Sequence, residues 1–182
     1  MSAIQATSTK VYFAYGSNLS STQMRARCPN AVPLGLGHLR GWHWLINERG
    51  FANIVKDPVA THAPLADSLP GVYGVLYSLP PNDEDVLDMY EGVPTAYEKE
   101  ILEVDVVQDG SSGSMEATGF PEGVGSLSAL VYIDYHRVKA DRPRAEYVSR
   151  MNLGIEEARR DWGLPGSYIA HVMREFIRET SS

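Results

Sequence analysis

The order of the predicted elements constrains the fold of this chain more than any other feature. Short runs rich in β-branched and aromatic residues occupy most of the sequence, and two amphipathic helices follow at the end. Strands and helices do not alternate regularly, which argues against a parallel sheet built from βαβ units. The order predicts an α+β fold, with a mostly antiparallel sheet or small barrel packed by helices.

The strands are predicted from apolar runs that end at turn residues. Within the run from Val72 to Leu79, alternation places Tyr73, Val75 and Tyr77 on one face. Trp42 and Trp44 likewise share a face. The predicted strands span residues 11–15, 31–48 (as one or two bent strands), 51–55, 72–79, 97–107 and 130–135.

Helix boundaries are marked by capping residues. Ser20 or Ser21 can cap a short helix, and a second helix starts at Pro81 and runs to about Glu91, where Gly92 provides a C-terminal stop. The stripe from Val148 to Trp162 and a second stripe over residues 169–176, separated by glycines and a proline, predict two closing helices.

The length of 182 residues favours one domain. We expect residues 1–10 to be a flexible N-terminal tail and residues 11–182 to be a single domain. The Pro-rich segment 57–70 and the Gly- and Ser-rich segment 109–128 are predicted loops.

Charge and composition limit the partners. The chain has 16 Lys and Arg against 23 Asp and Glu, a formal net charge of −7, which argues against nucleic acid or an anionic membrane as the main partner. There is no apolar run long enough to span a membrane and no secretory h-region, so we expect a cytoplasmic protein. Its single cysteine, Cys28, cannot form an internal disulfide.

Several common motifs are missing from the sequence. It contains no phosphate-binding GxxxxGK[ST], no GxGxxG after a strand, no HExxH and no GxSxG. The five histidines are scattered without the spacing of metal ligands. We therefore predict neither a metal site nor a cofactor.

The first candidate site is the turn Gly16-Ser17-Asn18, which follows the first strand and precedes a short helix. Successive backbone N–H groups in such a turn can bind a carboxylate or an oxyanion, and Gly16 permits close approach. An ordinary strand–turn–helix connection gives the same local pattern.

The second candidate is Glu91, in the last turn of the predicted helix. It shares a face with Leu87, and we expect Val86 and Tyr90 to lie inside as well. Apolar surroundings and the negative end of the helix dipole would both raise the pKa of Glu91, as a general base near neutral pH requires. The alternative is a solvated acid, the usual state of glutamate.

Ten tyrosines are more than a core of this size needs. A tyrosine combines an apolar ring with a polar tip, which suits a pocket for a small polar ligand. Ordinary packing accounts for most of them. Those on or beside predicted strands and helices that could share a pocket are Tyr12, Tyr15, Tyr73, Tyr77, Tyr97, Tyr132 and Tyr147.

The segment YFAYGSNL, from Tyr12 to Leu19, resembles the signature of the γ-glutamylcyclotransferases. Glu91-Gly92-Val93 followed by Tyr97 resembles the second element of that family, and the tail from Tyr147 through Gly163-Leu164-Pro165 resembles its ending. The resemblance covers residues 11–177, nearly the whole chain. It implies a small, mostly antiparallel β-barrel flanked by α-helices, with a cavity at the YGSN turn.

The resemblance also implies a reaction that needs no cofactor. The α-amine of a γ-glutamyl group attacks its own γ-amide carbonyl, 5-oxoproline forms, and an amine or amino acid leaves. Glu91 would be the catalytic acid/base, and the backbone N–H groups of the turn would hold the substrate carboxylate or the oxyanion. The implied substrate-binding residues are Tyr12, Phe13, Ala14, Tyr15, Gly16, Ser17, Asn18, Tyr97, Tyr132 and Tyr147.

The resemblance leaves the substrate open. Both predicted loops and the segment from Phe51 to Val55 differ from the family pattern and could shape the pocket wall beside the leaving amine. Alternatives are the same chemistry on glutathione, a γ-glutamylamine or a glutathione-derived secondary metabolite, or a non-catalytic binding module on this fold. The expected partner is a small γ-glutamyl compound, and a homodimer stays open.

Overall fold

Five strands close a small barrel in the computed structural model, which describes residues 8–58, 71–108, 120 and 124–180. The barrel order is β1-β5-β2-β6-β7, and β3 and β4 form a separate hairpin. The strands are β1 (Lys10–Ala14), β2 (Val32–Leu39), β3 (Trp42–Ile46), β4 (Ala52–Lys56), β5 (Val72–Leu79), β6 (Glu98–Val106) and β7 (Ser126–Ile133). The helices are α1 (Ser21–Arg27), α2 (Pro81–Glu91), α3 (Ala145–Trp162) and α4 (Gly166–His171). The predicted α+β class, with a small barrel flanked by helices, is confirmed.

The barrel is antiparallel except at its closure. β1 pairs with β5 over its full length, whereas its other edge meets β7 in parallel, with Tyr12 opposite Leu130. This last pairing joins the first and last strands, so the barrel has no open edge that another chain could extend.

The hairpin of β3 and β4 is fixed to the barrel by buried polar groups. Asn53 Nδ2 donates to the Asp134 carbonyl at 2.8 Å, and the Asp134 N–H donates to Asn53 Oδ1 at 3.0 Å. Asn47 Nδ2 donates to the Asp134 carboxylate at 3.0 Å. The buried side chains of Asn47, Asn53 and Asp134 therefore have partners, and the hairpin has one defined position beside the end of β7.

Helix α3 buries the middle of the stripe that the sequence predicts. Met151, Ile155 and Ala158 are buried, whereas Val148 and Trp162 at its two ends are only half-buried. Tyr147 is the buried residue at the start of the helix, and the buried positions recur every three or four residues. Gly163 ends the helix in the left-handed conformation, with φ 71°. The predicted helix start at Ser20 is also confirmed, because Ser20 Oγ accepts the Gln23 N–H at 3.0 Å.

Helix α2 buries a different face from the predicted one. Val86 and Tyr90 are exposed, so the expectation that they lie inside is wrong. The buried residues are Leu87 and two acids, Asp83 and Glu84. The acids can be buried because they are paired: Asp83 accepts hydrogen bonds from Asn30, and Glu84 accepts from Lys10 and Lys99.

The elements β7 and α4 differ from the sequence prediction by more than one residue. β7 begins at Ser126 and ends at Ile133, so it takes in the end of the predicted loop 109–128 and stops before Tyr135. The stripe over residues 169–176 is no continuous helix: α4 ends at His171 and a 3-10 turn covers Met173–Glu175. Between them Val172, a β-branched residue, departs from helical geometry with φ −116°.

Most of the predicted N-terminal tail (residues 1–7) lies outside the described residues, and Lys10 already belongs to β1. Most of the predicted loops 57–70 and 109–128 also lies outside them. In the part of the chain that is described, no helix has the length and apolar character needed to cross a membrane.

Candidate active site

A cavity of about 190 Å³ opens where the end of β1, the end of α2, the β3–β4 hairpin and the start of α3 meet. It is lined mainly by tyrosines, by the turn after β1 and by charged side chains. The lining residues are Tyr12, Tyr15, Gly16, Ser17, Asn18, Arg27, Arg49, Phe51, Ala52, Tyr90, Glu91, Tyr97, Tyr132, Tyr147 and Arg150.

The turn after β1 is tight because its backbone bonds to itself. Ser17–Leu19 forms a 3-10 turn in which the Leu19 N–H donates to the Gly16 carbonyl at 2.9 Å. A Cβ at Gly16 would lie 2.9 Å from the Tyr147 hydroxyl and 3.2 Å from the Ala52 Cβ. Gly16 is therefore required by close approach rather than by its backbone angles, since its φ is −106°.

Glu91 reaches the cavity from the last residue of α2. Gly92 ends that helix with φ 66°, and the Asn18 Nδ2 donates to Glu91 Oε1 at 3.2 Å. Burial raises the pKa of Glu91 to about 7, although Arg27, Arg49, Arg150 and the hydrogen bond from Asn18 act in the opposite direction. Glu91 thus has the raised pKa that its helix position predicted, but the surroundings are aromatic and cationic rather than purely apolar.

The Asn18 side chain has one defined orientation. Its Oδ1 accepts from Gln23 Nε2 at 2.8 Å and from Arg27 Nη1 at 3.1 Å. Its Nδ2 must then point the other way, toward Glu91 and the Tyr12 hydroxyl at 3.1 Å. Gln23 Nε2 also donates to Ser17 Oγ at 2.8 Å, so α1 holds two side chains of the turn in place.

The Tyr147 hydroxyl is available as a hydrogen-bond donor to the cavity. Its oxygen accepts the Ser17 N–H at 3.2 Å and the Ala52 N–H at 3.4 Å. Both lone pairs of the oxygen are therefore used, and the hydroxyl can still donate one hydrogen bond through its O–H group. Burial raises the pKa of Tyr147 to about 12, against the lowering effect of the two backbone hydrogen bonds, so the hydroxyl keeps its proton at neutral pH.

Three other tyrosines turn their hydroxyls into the protein. Tyr97 donates to the Ala52 carbonyl at 2.7 Å, Tyr132 to Asp88 Oδ1 at 2.7 Å, and Tyr15 to the Tyr132 carbonyl. Their aromatic rings form the cavity wall, while their polar tips hold neighbouring elements together.

Two predicted binding residues do not line this cavity. Phe13 and Ala14 are completely buried, and Phe13 packs where Gly74 leaves room: a Cβ at Gly74 would lie 2.7 Å from the Phe13 ring. Both residues belong to the core. The Ser17 N–H, predicted to face the substrate, instead donates to Tyr147.

Sequence reasoning missed three arginines and Tyr90. Arg150 follows Tyr147 by three residues on α3, so helical spacing could have placed it on the same face. Arg27 lies in the last turn of α1 and Arg49 in the turn between β3 and β4, and neither position has a local signature. No group of three or more His, Cys, Asp or Glu side chains is placed to bind a metal ion within the described ranges.

Comparison with solved structures shows the same fold. A structure named gamma-glutamyl cyclotransferase is 19% identical, with a TM-score of 0.67 over 96% of this chain and 93% of its own. The human uncharacterized protein loc79017 is also 19% identical, with a TM-score of 0.66 over 96% and 92%. YkqA from Bacillus subtilis is 17% identical, with a TM-score of 0.66 over 98% of this chain and 58% of its own.

A comparison with curated protein sequences finds no match. The profile of one protein family, described as "Gamma-glutamyl cyclotransferase, AIG2-like", matches residues 12–146. The matched range begins at Tyr12, includes the Gly16-Ser17-Asn18 turn and Glu91, and ends just before Tyr147. Because it covers well over half of the chain, this protein belongs to the gamma-glutamyl cyclotransferase, AIG2-like family.

Proposed function

We propose that the chain is an active γ-glutamylcyclotransferase that converts a γ-glutamyl compound to 5-oxoproline and releases an amino acid or amine. The α-nitrogen of the γ-glutamyl group forms a bond to the γ-carbonyl carbon, and the bond from that carbon to the leaving nitrogen breaks. Two protons pass from the attacking nitrogen to the leaving nitrogen, so the reaction takes up no net proton. The nucleophile is part of the substrate, and the protein supplies conformation and proton transfer.

The observation that carries the proposal is the position of Glu91. Its carboxylate opens onto a tyrosine-lined cavity, accepts a hydrogen bond from Asn18, and has a pKa raised to about 7. A carboxylate with that pKa can accept a proton from the substrate ammonium and return it to the leaving nitrogen near neutral pH. Glu91 is therefore assigned as the general acid/base.

The developing oxyanion needs donors that are already oriented. The Tyr147 hydroxyl is such a donor, because its oxygen is held by the N–H groups of Ser17 and Ala52. We assign it, together with the backbone N–H groups of Gly16 and Asn18, to the γ-carbonyl oxygen. The ring of Tyr12 and those of Tyr15, Tyr97 and Tyr132 would confine the folded substrate.

The test is 5-oxoproline release by wild type and by Glu91→Gln, over γ-glutamyl dipeptides, glutathione and γ-glutamylamines. We expect the variant to fold and to lose at least about 100-fold in kcat, because it cannot accept a proton. Asp85→Asn is the matched control, since Asp85 is an exposed carboxylate of the same helix. Wild-type turnover by Glu91→Gln would refute the assignment, and binding without turnover by the wild type would support a binding module.

A further inference from the structure

The cavity wall is cationic, although the chain as a whole carries a net charge of −7. Arg27, Arg49 and Arg150 line the cavity, and Glu91 is the only carboxylate among the described residues that line it. Even with Glu91 ionised, the guanidinium groups leave an excess of positive charge in a partly enclosed space. Such an arrangement concentrates anions.

Arg49 has an unused donor. Its Nη1 is buried and has no hydrogen-bond partner among the residues described. The guanidinium lies 5.4 Å from the centre of the Phe51 ring and 5.5 Å from that of Tyr97, so aromatic faces hold it in place without satisfying its N–H groups. A buried donor without an acceptor is unfavourable, and a bound anion would remove that penalty.

The other two arginines differ in the hydrogen bonds that their guanidinium groups already make. Arg27 donates to Asn18 Oδ1 and lies 4.7 Å from the centre of the Tyr90 ring. Arg150 donates through Nε and Nη2 to Glu146, an exposed residue outside the cavity, and lies 5.0 Å from the centre of the Tyr147 ring. An exposed ion pair of this kind is weak and leaves Arg150 able to bind a substrate anion as well.

Connectivity separates the roles of these arginines. The α-carboxylate of a γ-glutamyl group is bonded to the carbon that bears the reacting amine, so it must lie close to Glu91. Arg27 donates to Asn18 Oδ1, and Asn18 Nδ2 donates to Glu91, so one amide side chain connects Arg27 with the carboxylate. Arg49 and Arg150 project from the β3–β4 turn and from α3, and they are left for the other half of the substrate.

We propose that Arg49, assisted by Arg150, is a carboxylate-binding site for the leaving half of the substrate. The preferred substrates are then γ-glutamyl amino acids or peptides with a free carboxylate on the leaving group, rather than γ-glutamylamines. This inference rests on the proposed cyclisation for its chemistry. It extends that proposal by naming the charge of the leaving group and the side chains that recognise this charge.

The test compares γ-glutamyl-L-alanine with γ-glutamyl-L-alaninamide, which have nearly the same shape and differ by one negative charge. We expect the wild type to show a kcat/KM about tenfold or more lower for the amide, chiefly through KM, as the loss of a charge-assisted hydrogen bond implies. Arg49→Met, which keeps an apolar stem against Phe51 and Tyr97, should lower kcat/KM for the acid and leave the amide nearly unchanged. Arg150→Gln should act in the same direction with a smaller effect.

The control is Arg160→Gln, which removes an exposed arginine of α3 that pairs with Asp161 away from the cavity. It should keep the wild-type preference for the acid. Equal kcat/KM for the two substrates in the wild type, or an undiminished preference in Arg49→Met, overturns the inference and leaves the cyclisation intact. If neither compound yields 5-oxoproline, calorimetric binding of both to the wild type decides: tighter binding of the acid supports the site, and equal or absent binding overturns it.

Discussion

Asn18 links the turn after β1 to Glu91, and the orientation of its amide favours the charged form of that carboxylate. Because Gln23 and Arg27 both donate to Oδ1, the amide can only present its N–H group to Glu91. A donor of this kind stabilises the ionised carboxylate and lowers the pKa of Glu91 relative to what burial alone would produce.

This arrangement predicts the pH dependence of the proposed cyclisation. Glu91 must be deprotonated to accept the substrate proton, so kcat/KM of the wild type should rise with pH through a midpoint of about 7. Asn18→Ala removes the donor to the charged form, which raises the pKa of Glu91 and moves the midpoint up by about 0.5–1 unit. The measurement is kcat/KM between pH 5.5 and 9 for both proteins. A midpoint in Asn18→Ala that is unchanged or lower would contradict this account of Asn18.

The position of Glu91 and Gly16 at the cavity could be predicted from sequence because each lies in a short pattern with a physical meaning: a helix C-terminus before glycine, and a turn after a strand. The position of Arg49 could not, because it depends on how the β3–β4 turn is placed against the barrel. That position is set by the bonds of Asn47 and Asn53 to Asp134, which lies far away in the chain. The sequence around Arg49 contains no pattern from which these hydrogen bonds could be predicted.

Helix α3 packs against the turn after β1 and holds it in position. Glu157 accepts hydrogen bonds from Ser20 Oγ at 2.8 Å and from the Thr22 N–H at 3.1 Å, which ties α3 to the start of α1. One turn earlier, Gly154 lets the helix lie directly on the turn: a Cβ there would be 3.1 Å from the Leu19 Cβ and 3.3 Å from the Ser17 carbonyl oxygen. A side chain at position 154 would fit only if the helix or the turn moved. The position of the turn therefore depends on this close contact.

We expect Gly154→Ala to lower both stability and kcat. Alanine gains about 0.5–1 kcal/mol over glycine in a helix interior, but overpacking costs about 1–3 kcal/mol, and here the neighbours include backbone atoms that cannot rotate away. The net effect should be a loss of about 1–2 kcal/mol in the free energy of unfolding. Displacement of the turn should reduce kcat about tenfold, since small misplacements of catalytic groups are costly.

Urea unfolding and steady-state kinetics measure these two effects. Gly166→Ala is the matched control, because a Cβ at Gly166 meets no atom within 4 Å and its backbone is not in the left-handed region. It should leave kcat unchanged. If Gly154→Ala were as stable and as active as the control, α3 would not be what positions the turn.

The elements that could be predicted are those with local signals. Helix α3 follows from its stripe and α2 from its capping residues, whereas the buried face of α2 was mispredicted because Asp83 and Glu84 are buried through partners on other elements. The parallel pairing of β1 with β7 was not predictable either, since it joins distant segments through a closure that neither strand encodes alone. The antiparallel class could be predicted because it follows from element order.

At the level of the whole molecule, ionisation of Glu91, the proposed catalytic residue, lowers the free energy of unfolding. The pKa of Glu91 is raised from its usual 4.5 to about 7 in the folded protein, chiefly by burial. Between these two values the folded protein holds a proton that the unfolded chain has released, so the free energy of unfolding falls as pH rises. Above pH 7 the folded protein contains an ionised carboxylate in a partly buried site. The ionised form is needed for the proposed proton transfer, but it lowers the stability of the protein.

Glu91→Gln should therefore be more stable than the wild type, and by an amount that depends on pH. Glutamine stays neutral and its Oε1 can still accept the Asn18 N–H, so the variant avoids the ionisation penalty without losing that hydrogen bond. Near pH 5 wild-type Glu91 is protonated in the folded state, and the two proteins should have similar free energies of unfolding. At pH 9 the variant should be more stable by about 1–3 kcal/mol, measured by urea unfolding at both values. An inactive variant that gains nothing on going from pH 5 to pH 9 would mean that the Glu91 carboxylate is well solvated in the folded protein, and it would remove the physical basis for its role as a base near neutral pH.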